Sequence, residues 1–269
     1  MRLGLIGYPL SHTLSPAMHA AALEALGLAG SYAALETPPE ALAERMDEVR
    51  RAYRGVNVTV PHKEAVMPYL DRLSPEAEAI GAVNTVVNRE GRLEGHNTDA
   101  PGFLRGLEEA GIEYRGAKVL ILGAGGAARA IAWALKQAGA QVRMGNRTLE
   151  RAAQLQREFG LGEVTDNELV LAAMARSSDL IVNTTTVGLK DPAATPLRAE
   201  WLPAGGTVVD IVYNPLETRL LREARAAGLR TVGGLPMLVW QGALAFELWT
   251  GQRPPVEVMY QAARGKLEA

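Results

Sequence analysis

Length, composition and charge exclude several classes of protein. The chain has 269 residues, which is enough for two domains of about 100 to 150 residues each. Its net charge is −2, so no basic surface favours nucleic acid or an anionic membrane. It has no cysteine, its four histidines lack metal-ligand spacing, and no apolar run is long enough to span a bilayer. The pattern of the first residues leads us to expect no signal peptide. We therefore expect a cytoplasmic protein with no metal, whose partner is a small molecule.

The N-terminal segment predicts a strand, helix, strand, helix opening. Arg2 to Ile6 predicts a strand that ends at a Gly-Tyr-Pro turn. Ser15, followed by proline, is typical of a helix N-cap, and Gly27 ends that helix. Ser31 to Glu36 predicts a second strand, and Thr37 predicts a capped helix after it. The apolar face of that helix consists of Leu42, Met46, Val49 and Tyr53.

A lysine shortly after the third strand is the first sign of function. Gly55 to Val60 predicts a strand, and Pro61 is then expected to be the first residue of a helix. This places Lys63 in the opening turn, where the helix dipole destabilises a cation by roughly 0.3 to 1 kcal/mol. Something other than helix stability should explain Lys63, although the alternative is an ordinary exposed first-turn lysine.

A hairpin and a further helix follow. Ser74, again followed by proline, predicts a helix start. Gly81 to His96 predicts a hairpin with its turn at Glu90-Gly91. Asn84 is placed inside the first hairpin strand, where asparagine is disfavoured unless its amide has a specific partner. Asp99 then opens a helix, where it would equally serve as a simple cap or first-turn acid.

The second half alternates short apolar strands with helices. The expected strands are Val119 to Leu122, Gln141 to Met144, Leu180 to Asn183, Thr207 to Ile211 and Thr231 to Val232. Continuously apolar strands in this rhythm are typical of a doubly wound, Rossmann-like parallel sheet. Two helices, Leu235 to Trp249 and Val256 to Leu267, end the chain, and the first is apolar enough to be buried. We predict a two-domain α/β protein, with residues 1–101 plus 236–269 in one domain and 102–235 in the other.

The glycine-rich turn after the strand at Val119 is typical of dinucleotide-binding proteins. Gly123 and Gly125 allow a tight turn and a close approach to a ligand, and Ala128 lets the next helix pack on the strand. The free amides at the N-terminus of that helix would face a pyrophosphate. Alone, a Gly-x-Gly-x-x-Ala pattern is a weak signal, because ordinary strand-to-helix turns also contain it.

Basic residues after the next strand favour NADP over NAD. A protein specific for NAD would place Asp or Glu about twenty residues after the glycine loop, to accept the ribose 2′-hydroxyl. Here Arg147 follows Gly123 by 24 positions, Arg151 comes one helical turn later, and no acidic residue ends the strand. Guanidinium groups bind phosphate oxygens in a fixed geometry, which suits a 2′-phosphate. The alternative is that both arginines are solvated surface charges.

A series of motifs resembles, in order, those of the shikimate dehydrogenase family. The motifs read Gly7-Tyr-Pro-Leu-Ser-His-Thr-Leu-Ser-Pro, Asn57-Val-Thr-Val-Pro-His-Lys, Gly81-Ala-Val-Asn-Thr, Gly95-His-Asn-Thr-Asp, the glycine loop, Asn146-Arg-Thr and Gly234-Leu-Pro-Met-Leu-Val-Trp-Gln. Most are short, but together they span nearly the whole chain and their joint occurrence is specific. The resemblance implies an NADP-dependent enzyme of the chorismate pathway that reduces 3-dehydroshikimate to shikimate, with a substrate domain and an NADP domain.

The resemblance also implies roles for individual residues. The substrate pocket would be lined by Thr13, Ser15, Thr59, Lys63, Asn84, Asp99, Tyr213 and Gln241. The residues that would bind NADP are Gly123, Ala124, Gly125, Gly126, Ala127, Asn146, Arg147, Thr148, Arg151, Ile211 and Gly234. In one departure, Thr13 followed by Leu14 replaces the serine and lysine of the family pattern, which would alter affinity or the tolerance for acids such as quinate.

The chemistry of ketone reduction independently favours Lys63 and Asp99 as the catalytic pair. Reducing a ketone requires a hydride and a proton donor at the developing alkoxide. A helix N-terminus and partial burial would both favour the neutral form of Lys63, which suits a group that exchanges a proton with substrate. Asp99 would hold the ammonium group and accept a hydrogen bond from a ring hydroxyl. The proton would come from Lys63 or from a water bound by the pair.

Three functional hypotheses follow. The first is an NADP-dependent shikimate dehydrogenase, as a monomer or homodimer. The second is a broader quinate/shikimate dehydrogenase that also uses NAD. The third is a non-catalytic sensor of NADP and a shikimate-like acid, against which the complete set of Lys63, Asp99 and Asn84 argues. The four histidines, His12, His19, His62 and His96, are expected to be structural or surface groups.

Overall fold

The computed structural model describes residues 1–11 and 13–268. In the first part of the chain the strands are β1 (Arg2–Gly7), β2 (Ser31–Glu36), β3 (Gly55–Val58), β4 (Arg72–Leu73), β5 (Thr85–Arg89) and β6 (Arg92–His96). The helices there are α1 (Ser15–Ala25), α2 (Leu42–Ala52), α3 (Pro75–Ile80) and α4 (Asp99–Glu109). Short 3₁₀ helices lie at Pro39–Ala41 and Met67–Tyr69.

The later strands and helices alternate as predicted. The strands are β7 (Lys118–Leu122), β8 (Gln141–Gly145), β9 (Val164–Thr165), β10 (Leu180–Asn183), β11 (Thr207–Asp210) and β12 (Arg230–Val232). The helices are α5 (Gly126–Gln137), α6 (Leu149–Phe159), α7 (Glu168–Arg176), α8 (Arg219–Ala226), α9 (Leu235–Thr250) and α10 (Val256–Glu268), with a 3₁₀ helix at Ala199–Trp201. The five strands and two C-terminal helices expected from the sequence are confirmed, whereas the two-residue strands β4 and β9 carry too short a pattern to be predicted.

Backbone contacts divide the chain into two compact units. The first unit is Met1–Gly102 with Val239–Ala269, and the second is Phe103–Leu238. The first contains a six-stranded sheet of order β2-β1-β3-β5-β6-β4, in which β5 is antiparallel to β3 and β6. On one face Val56 packs against Met46 of α2, and on the other Leu3 packs with Trp249 of α9. The buried, apolar α9 predicted from the sequence therefore completes one face of this sheet.

The second unit contains a fully parallel sheet of order β12-β11-β10-β7-β8-β9. Because side chains alternate along a strand, Val119 and Ile121 of β7 join one core cluster, which includes residues of α4, α5 and α6. Leu120 and Leu122 join the opposite cluster, which includes residues of α7 and α8. Apolar residues on both faces confirm the predicted doubly wound, Rossmann-like arrangement.

The prediction that a helix begins at Pro61 is wrong, because the segment after β3 forms a series of turns. Neighbouring segments bind its polar groups. Val83 N donates to the Lys63 carbonyl oxygen at 2.8 Å, and the buried His62 ring lies 2.6 Å from the Thr37 carbonyl oxygen. Lys63 therefore lies in a turn, and the argument from a helix dipole does not apply to it.

Helix and strand boundaries elsewhere were only partly predicted. Ser74 caps α3 by accepting a hydrogen bond from Ala77 N at 3.1 Å, as expected. Thr37 does not cap α2, because its hydroxyl donates to a backbone carbonyl in β2 and a 3₁₀ helix intervenes. Ser15 is the first residue of α1 and makes no capping bond, and Asn84 directly precedes β5 instead of lying within it.

Two further properties bear on function. Within residues 1–11 and 13–268, no helix combines the length and apolar character needed to cross a bilayer. The same residues contain no group of three or more His, Asp or Glu side chains that could hold a metal ion.

Candidate active site

The first unit contains a little-exposed ion pair between Lys63 and Asp99. The turn after β3 positions Lys63, and the first residue of α4 supplies Asp99. Lys63 Nζ lies 2.5 Å from Asp99 Oδ2, and the two side chains are only 13% and 6% exposed. Removing one partner of such a pair typically costs about 3–5 kcal/mol, because the remaining charge stays buried without compensation. The two residues predicted to be catalytic therefore meet, although 36 positions separate them in the chain.

Asn84 binds the other oxygen of the Asp99 carboxylate. Thr98 N donates to Asn84 Oδ1 at 2.7 Å, and because a backbone amide can only donate, the amide nitrogen of Asn84 must face the opposite way. Asn84 Nδ2 donates to Asp99 Oδ1 at 3.0 Å, and Gln241 Oε1 of α9 lies 3.4 Å from the same nitrogen. Lys63, Asp99, Asn84 and Gln241 thus form one continuous polar cluster.

Thr13 and Ser15 lie together at the start of α1. Ser15 N donates to Thr13 Oγ1 at 3.3 Å. Burial raises the pKa of Tyr32, and a hydrogen bond with Ser15 opposes part of this rise. Thr59 follows β3, and its amide donates to the Ile6 carbonyl oxygen at 2.8 Å. Among the described residues, neither Thr13 nor Thr59 makes a hydrogen bond to the Lys63–Asp99 pair.

The glycine loop of the second unit occupies the carboxyl end of β7. Gly123 has φ +107°, a conformation that disfavours side chains, and an added Cβ would lie 2.6 Å from Thr184 Oγ1. A Cβ on Gly125 would meet no described atom within 4 Å, so the loop is open there. Gly126 is the first residue of α5, and Gly125 provides no side chain to cap its amides. The loop therefore presents unpaired helix amides suited to an anion.

Two arginines flank the start of α6, beside the glycine loop. The parallel register pairs Leu122 with Gly145, so the segments that follow β7 and β8 leave the same edge of the sheet. Asn146 Nδ2 donates to the Thr148 carbonyl oxygen at 2.6 Å and shapes this turn. Arg147 and Arg151 are exposed, and neither guanidinium group makes a hydrogen bond or an ion pair with any described residue. They are available to bind a ligand anion.

A buried carboxylate organises the segment after β11. Asp210 accepts hydrogen bonds from Thr218 Oγ1 at 2.6 Å, Asn183 Nδ2 at 2.9 Å and Val212 N at 3.1 Å. Burial raises the pKa of Asp210, and these three donors offset part of that effect. Asp210 thereby fixes the backbone on either side of Ile211.

Ile211 and Gly234 touch each other at the same edge of the sheet. A Cβ on Gly234 would lie 2.2 Å from the Ile211 carbonyl oxygen, so glycine is required for this contact. Tyr213 follows two residues later in the second unit, and burial raises the pKa of its hydroxyl. The candidate cofactor residues therefore follow four strands of this sheet, β8, β7, β11 and β12, at a carboxyl edge of the kind where α/β sheets bind nucleotides.

Three of the histidines lie in the described residues, and His12 lies outside them. His62 is buried and holds the turn that carries Lys63. His19 is fully buried against Tyr32, with ring centroids 4.3 Å apart. Burial lowers the pKa of His96, while the nearby Glu94 carboxylate opposes this shift. None of the three imidazole rings is hydrogen-bonded or ion-paired with Lys63 or Asp99.

Three family models together match most of the chain. They are the shikimate dehydrogenase substrate binding domain at residues 5–86, shikimate / quinate 5-dehydrogenase at 107–190, and the shikimate 5′-dehydrogenase C-terminal domain at 234–264. An NADP(+) shikimate dehydrogenase of Thermus thermophilus is 57% identical over 267 residues, which cover 99% of both chains. This chain belongs to the shikimate dehydrogenase family.

Solved structures agree with this assignment. A shikimate 5-dehydrogenase from Thermus thermophilus, in complex with NADP(H) and shikimate, is 56% identical with a TM-score of 0.94, covering 99% of this chain and 100% of that one. A quinate dehydrogenase from Corynebacterium glutamicum in complex with NAD is 35% identical with a TM-score of 0.89, covering 98% and 99%. The family and fold class inferred from the motifs are therefore confirmed.

The departure from the shikimate dehydrogenase pattern at Thr13-Leu14 has a clear structural setting. Leu14, at the position of the usual lysine, is 4% exposed and packs inside the first unit. Thr13 stays partly exposed and keeps its hydroxyl beside Ser15 N. The substitution removes a cation from this loop without removing the hydroxyl group.

Sequence reasoning predicted no role for four buried polar residues that bond to one another beside Asn84. Asn57, Thr85 and Thr98 lie within the motifs, and Tyr32 lies outside them. Asn57 carried a signal, because an amide between Val56 and Val58 in an apolar strand requires buried partners. In the second unit, Asp210 and Thr184 were not predicted, because their hydrogen-bond partners include residues of other strands. Asp210 accepts from Asn183 of β10, and Thr184 donates to the Leu122 carbonyl oxygen of β7.

Proposed function

We propose that this protein is an NADP-dependent shikimate dehydrogenase, which reversibly reduces 3-dehydroshikimate to shikimate. The observation that carries this proposal is the Lys63–Asp99 ion pair, held by Asn84, in a chain of this family. A proton donor with a fixed carboxylate partner is what ketone reduction needs at the reacting oxygen. The NADP(H) and shikimate bound to the Thermus thermophilus relative of known structure support the same substrate pair.

The residues of the second unit fit NADP. Gly123 to Ala127 would hold the pyrophosphate, because the loop is open and the first amides of α5 are uncapped. Asn146 to Arg151 would bind the 2′-phosphate, since both guanidinium groups are free to form charge-assisted hydrogen bonds. Ile211 and Gly234 would lie beside the nicotinamide. When bound, NADPH supplies the hydride.

Lys63 would supply the proton. As an ammonium group it donates to the oxygen of the reduced carbonyl, and in the reverse direction the neutral amine accepts the same proton. Asp99 keeps the amine in place through the 2.5 Å contact and can accept from a neighbouring ring hydroxyl. Asn84 and Gln241 would bind further hydroxyls, and Thr13 and Ser15 the carboxylate. Thr59 would complete the part of the pocket that the first unit provides.

This proposal assigns residues 1–101 plus 236–269 to the substrate and residues 102–235 to the cofactor. Those ranges lie close to the compact units Met1–Gly102 with Val239–Ala269 and Phe103–Leu238. The substrate-binding model at residues 5–86 supports the same division.

The test is absorbance at the NADPH band after purified protein is mixed with shikimate and NADP. We expect NADPH to form with shikimate, and to be consumed with 3-dehydroshikimate. A protein that binds both ligands by calorimetry without any change in absorbance would instead be a sensor, and the proposed activity would be refuted. Lys63→Met then tests the proton donor, since the variant keeps the length of the side chain and loses the amine.

A second candidate, a broader quinate/shikimate dehydrogenase, is favoured by one observation. Leu14 replaces the lysine expected beside the carboxylate-binding hydroxyls, which weakens the electrostatic selection of the substrate. Steady-state rates for the four pairs of shikimate or quinate with NADP or NAD separate the two candidates. We expect shikimate with NADP to give the highest kcat/KM, and equal efficiency with NAD would contradict the role given to Arg147.

A further inference from the structure

Buried hydrogen bonds connect β2 to the Asp99 carboxylate. The Tyr32 hydroxyl lies 2.8 Å from Asn57 Oδ1. Asn57 Nδ2 donates to Thr85 Oγ1 at 3.1 Å, and Thr85 Oγ1 lies 3.2 Å from Asn84 Oδ1. Asn84 Nδ2 then donates to Asp99 Oδ1 at 3.0 Å. We call Tyr32, Asn57, Thr85 and Asn84 the buried relay, since each side chain is bonded to the next and the last is bonded to Asp99.

Partners that can only donate or only accept fix the direction of these bonds. Asn57 Nδ2 faces the Asn84 backbone carbonyl at 3.3 Å, so Asn57 Oδ1 must face Tyr32, whose phenol donates to it. The Thr85 hydroxyl accepts from Asn57, which leaves its proton for Asn84 Oδ1 or for Thr98 Oγ1 at 3.1 Å. Thr98 Oγ1 itself contacts the Asn84 amide at 2.9 Å. The bonds from Tyr32 to Asn57 and from Asn57 to Thr85 therefore point toward the carboxylate, as does the bond from Asn84 to Asp99. The relay is complete when the Thr85 proton lies on Asn84 Oδ1.

The relay lies among apolar side chains on one face of the first sheet, with the His19 ring stacked on Tyr32. Tyr32 and Val87 belong to the same core cluster as Leu3 and Leu5, and all four relay residues are buried. Asn57 and Thr85 are register partners on β3 and β5, so they share one face of the sheet. Apolar side chains of similar shape would fill this face without requiring a hydrogen-bond network. A network that ends on the proposed catalytic carboxylate has a use beyond packing.

Aligned hydrogen bonds in a low-dielectric interior polarise one another. Donation from Tyr32 through Asn57 and Thr85 makes the Asn84 amide a stronger donor. The Asp99 carboxylate is then held by Asn84 at Oδ1 and by Lys63 at Oδ2, which fixes the plane of the carboxylate and the position of the ammonium group.

We propose that Tyr32, Asn57 and Thr85 are positioning residues, which act through Asn84 to orient the Asp99 carboxylate and thereby Lys63. This inference rests on the proposed function of the Lys63–Asp99 pair. It predicts that the three residues are energetically coupled to one another, because an interruption anywhere along the relay removes the same effect on Asn84.

A double-mutant cycle on Thr85 and Tyr32 tests the coupling. Thr85→Val should lower kcat about tenfold, the effect of one lost hydrogen bond, while KM for NADP stays unchanged. Thr85→Ser should restore kcat, and Tyr32→Phe should lower it by a smaller factor. In the Thr85→Val background, Tyr32→Phe should have no further effect. If Thr85→Val does not fold, Thr85→Ala takes its place in the same cycle, with the same expected outcomes.

Thr37→Val is the matched control, because Thr37 is a buried threonine whose hydroxyl bonds lie outside the relay. It should leave kcat unchanged. Unchanged kcat in Thr85→Val, or independent and multiplicative losses in the double variant, would overturn the relay.

A measurement without turnover separates this inference from the proposed function. In asparagine-labelled protein, Tyr32→Phe should shift the side-chain amide resonances of Asn84, although two residues lie between them. The shift should vanish in the Thr85→Val background and should be absent in Thr37→Val. Wild-type protein that does not turn over shikimate contradicts the proposed function, whereas Asn84 resonances that do not respond to Tyr32 contradict the relay alone.

Discussion

Mild acid should destabilise the first unit through His19. The imidazole is fully buried, stacks on Tyr32 with 9° between the rings, and has Trp249 5.4 Å away. Neither ring nitrogen has a hydrogen-bond partner of normal geometry among the described residues. Burial lowers the pKa of His19 from 6.5 to about 3, and the nearby Asn57 amide offsets only part of this shift. The folded protein therefore keeps His19 neutral at pH values where the unfolded chain is protonated.

The size of the effect follows from this difference in pKa. Between about pH 6.5 and pH 3 the unfolded state binds one more proton at this position, so stability falls as the pH falls. Each pH unit in that range costs about 1.4 kcal/mol. Between pH 7.5 and pH 5.0 we expect His19 to reduce the free energy of unfolding by about 2 kcal/mol, which is large against a typical stability of about 5–15 kcal/mol.

His19→Phe isolates this contribution. Phenylalanine keeps a flat ring against Tyr32 and loses the titrating group. The free energy of unfolding is measured in urea at both pH values, using tryptophan fluorescence because Trp249 lies beside His19. Carboxylates such as Asp71, whose pKa is lowered by its bonds to Leu93 N and Arg50, contribute equally to both proteins. The variant should lose about 2 kcal/mol less than wild type on acidification, and equal losses would refute the account of His19.

Three further predictions concern the proposed site. Lys63→Met should lower kcat by about a hundredfold or more, with a smaller change in KM for shikimate, because a general acid typically contributes that much. The control is Lys118→Met, since Lys118 is exposed. Near-normal turnover in Lys63→Met would show that Lys63 is not the proton donor. Arg147→Gln combined with Arg151→Gln should raise KM for NADP by about tenfold or more, because charge-assisted bonds to the 2′-phosphate are lost. KM for NAD should stay unchanged. Equal changes in KM for both cofactors would show that the arginines do not bind the 2′-phosphate. Gly234→Ala should weaken NADP binding and lower Tm, because its Cβ would lie 2.2 Å from the Ile211 carbonyl oxygen. The control Gly265→Ala, whose Cβ would have no atom within 4 Å, should not lower Tm. Calorimetry measures NADP binding and thermal unfolding measures Tm, and unimpaired binding in Gly234→Ala would argue against a cofactor role for this contact.

The sequence predicted those elements whose signals are local. Val119 to Leu122 forms β7 because an unbroken apolar run suits a strand buried on both faces, and Ser74 caps α3 because its hydroxyl needs only its own next turn. The helix expected at Pro61 failed for the opposite reason. Its local pattern was correct for a helix start, but two bonds to other segments determine the backbone there. Val83 N donates to the Lys63 carbonyl oxygen, and the His62 ring bonds to the Thr37 carbonyl oxygen.

Residues of the candidate site were likewise predictable from the sequence only where their signal is local. Lys63 was flagged by its position after a strand and a proline, and Asn84 by an amide in an apolar stretch. Their meeting with Asp99 could be inferred only from the family resemblance, because no spacing rule joins residues on separate elements. Tyr32 gave no signal, since a tyrosine in a strand is ordinarily a core residue. Its hydroxyl gains a role only through the partner that the fold brings to it.

The first unit combines Met1–Gly102 with Val239–Ala269, so its folding during translation depends on segments that are made far apart in time. Trp249 of α9 occupies the space beside Gly55 and donates to the Val86 carbonyl oxygen at 2.9 Å, on the face that also carries Leu3. Chains emerge from the ribosome N-terminus first. Phe103–Leu238 is contiguous and can close as soon as it has emerged, whereas the strands made earliest must wait for α9. During translation, the part of the protein that is made first is therefore the last to be completed, and its apolar face needs protection in the interval.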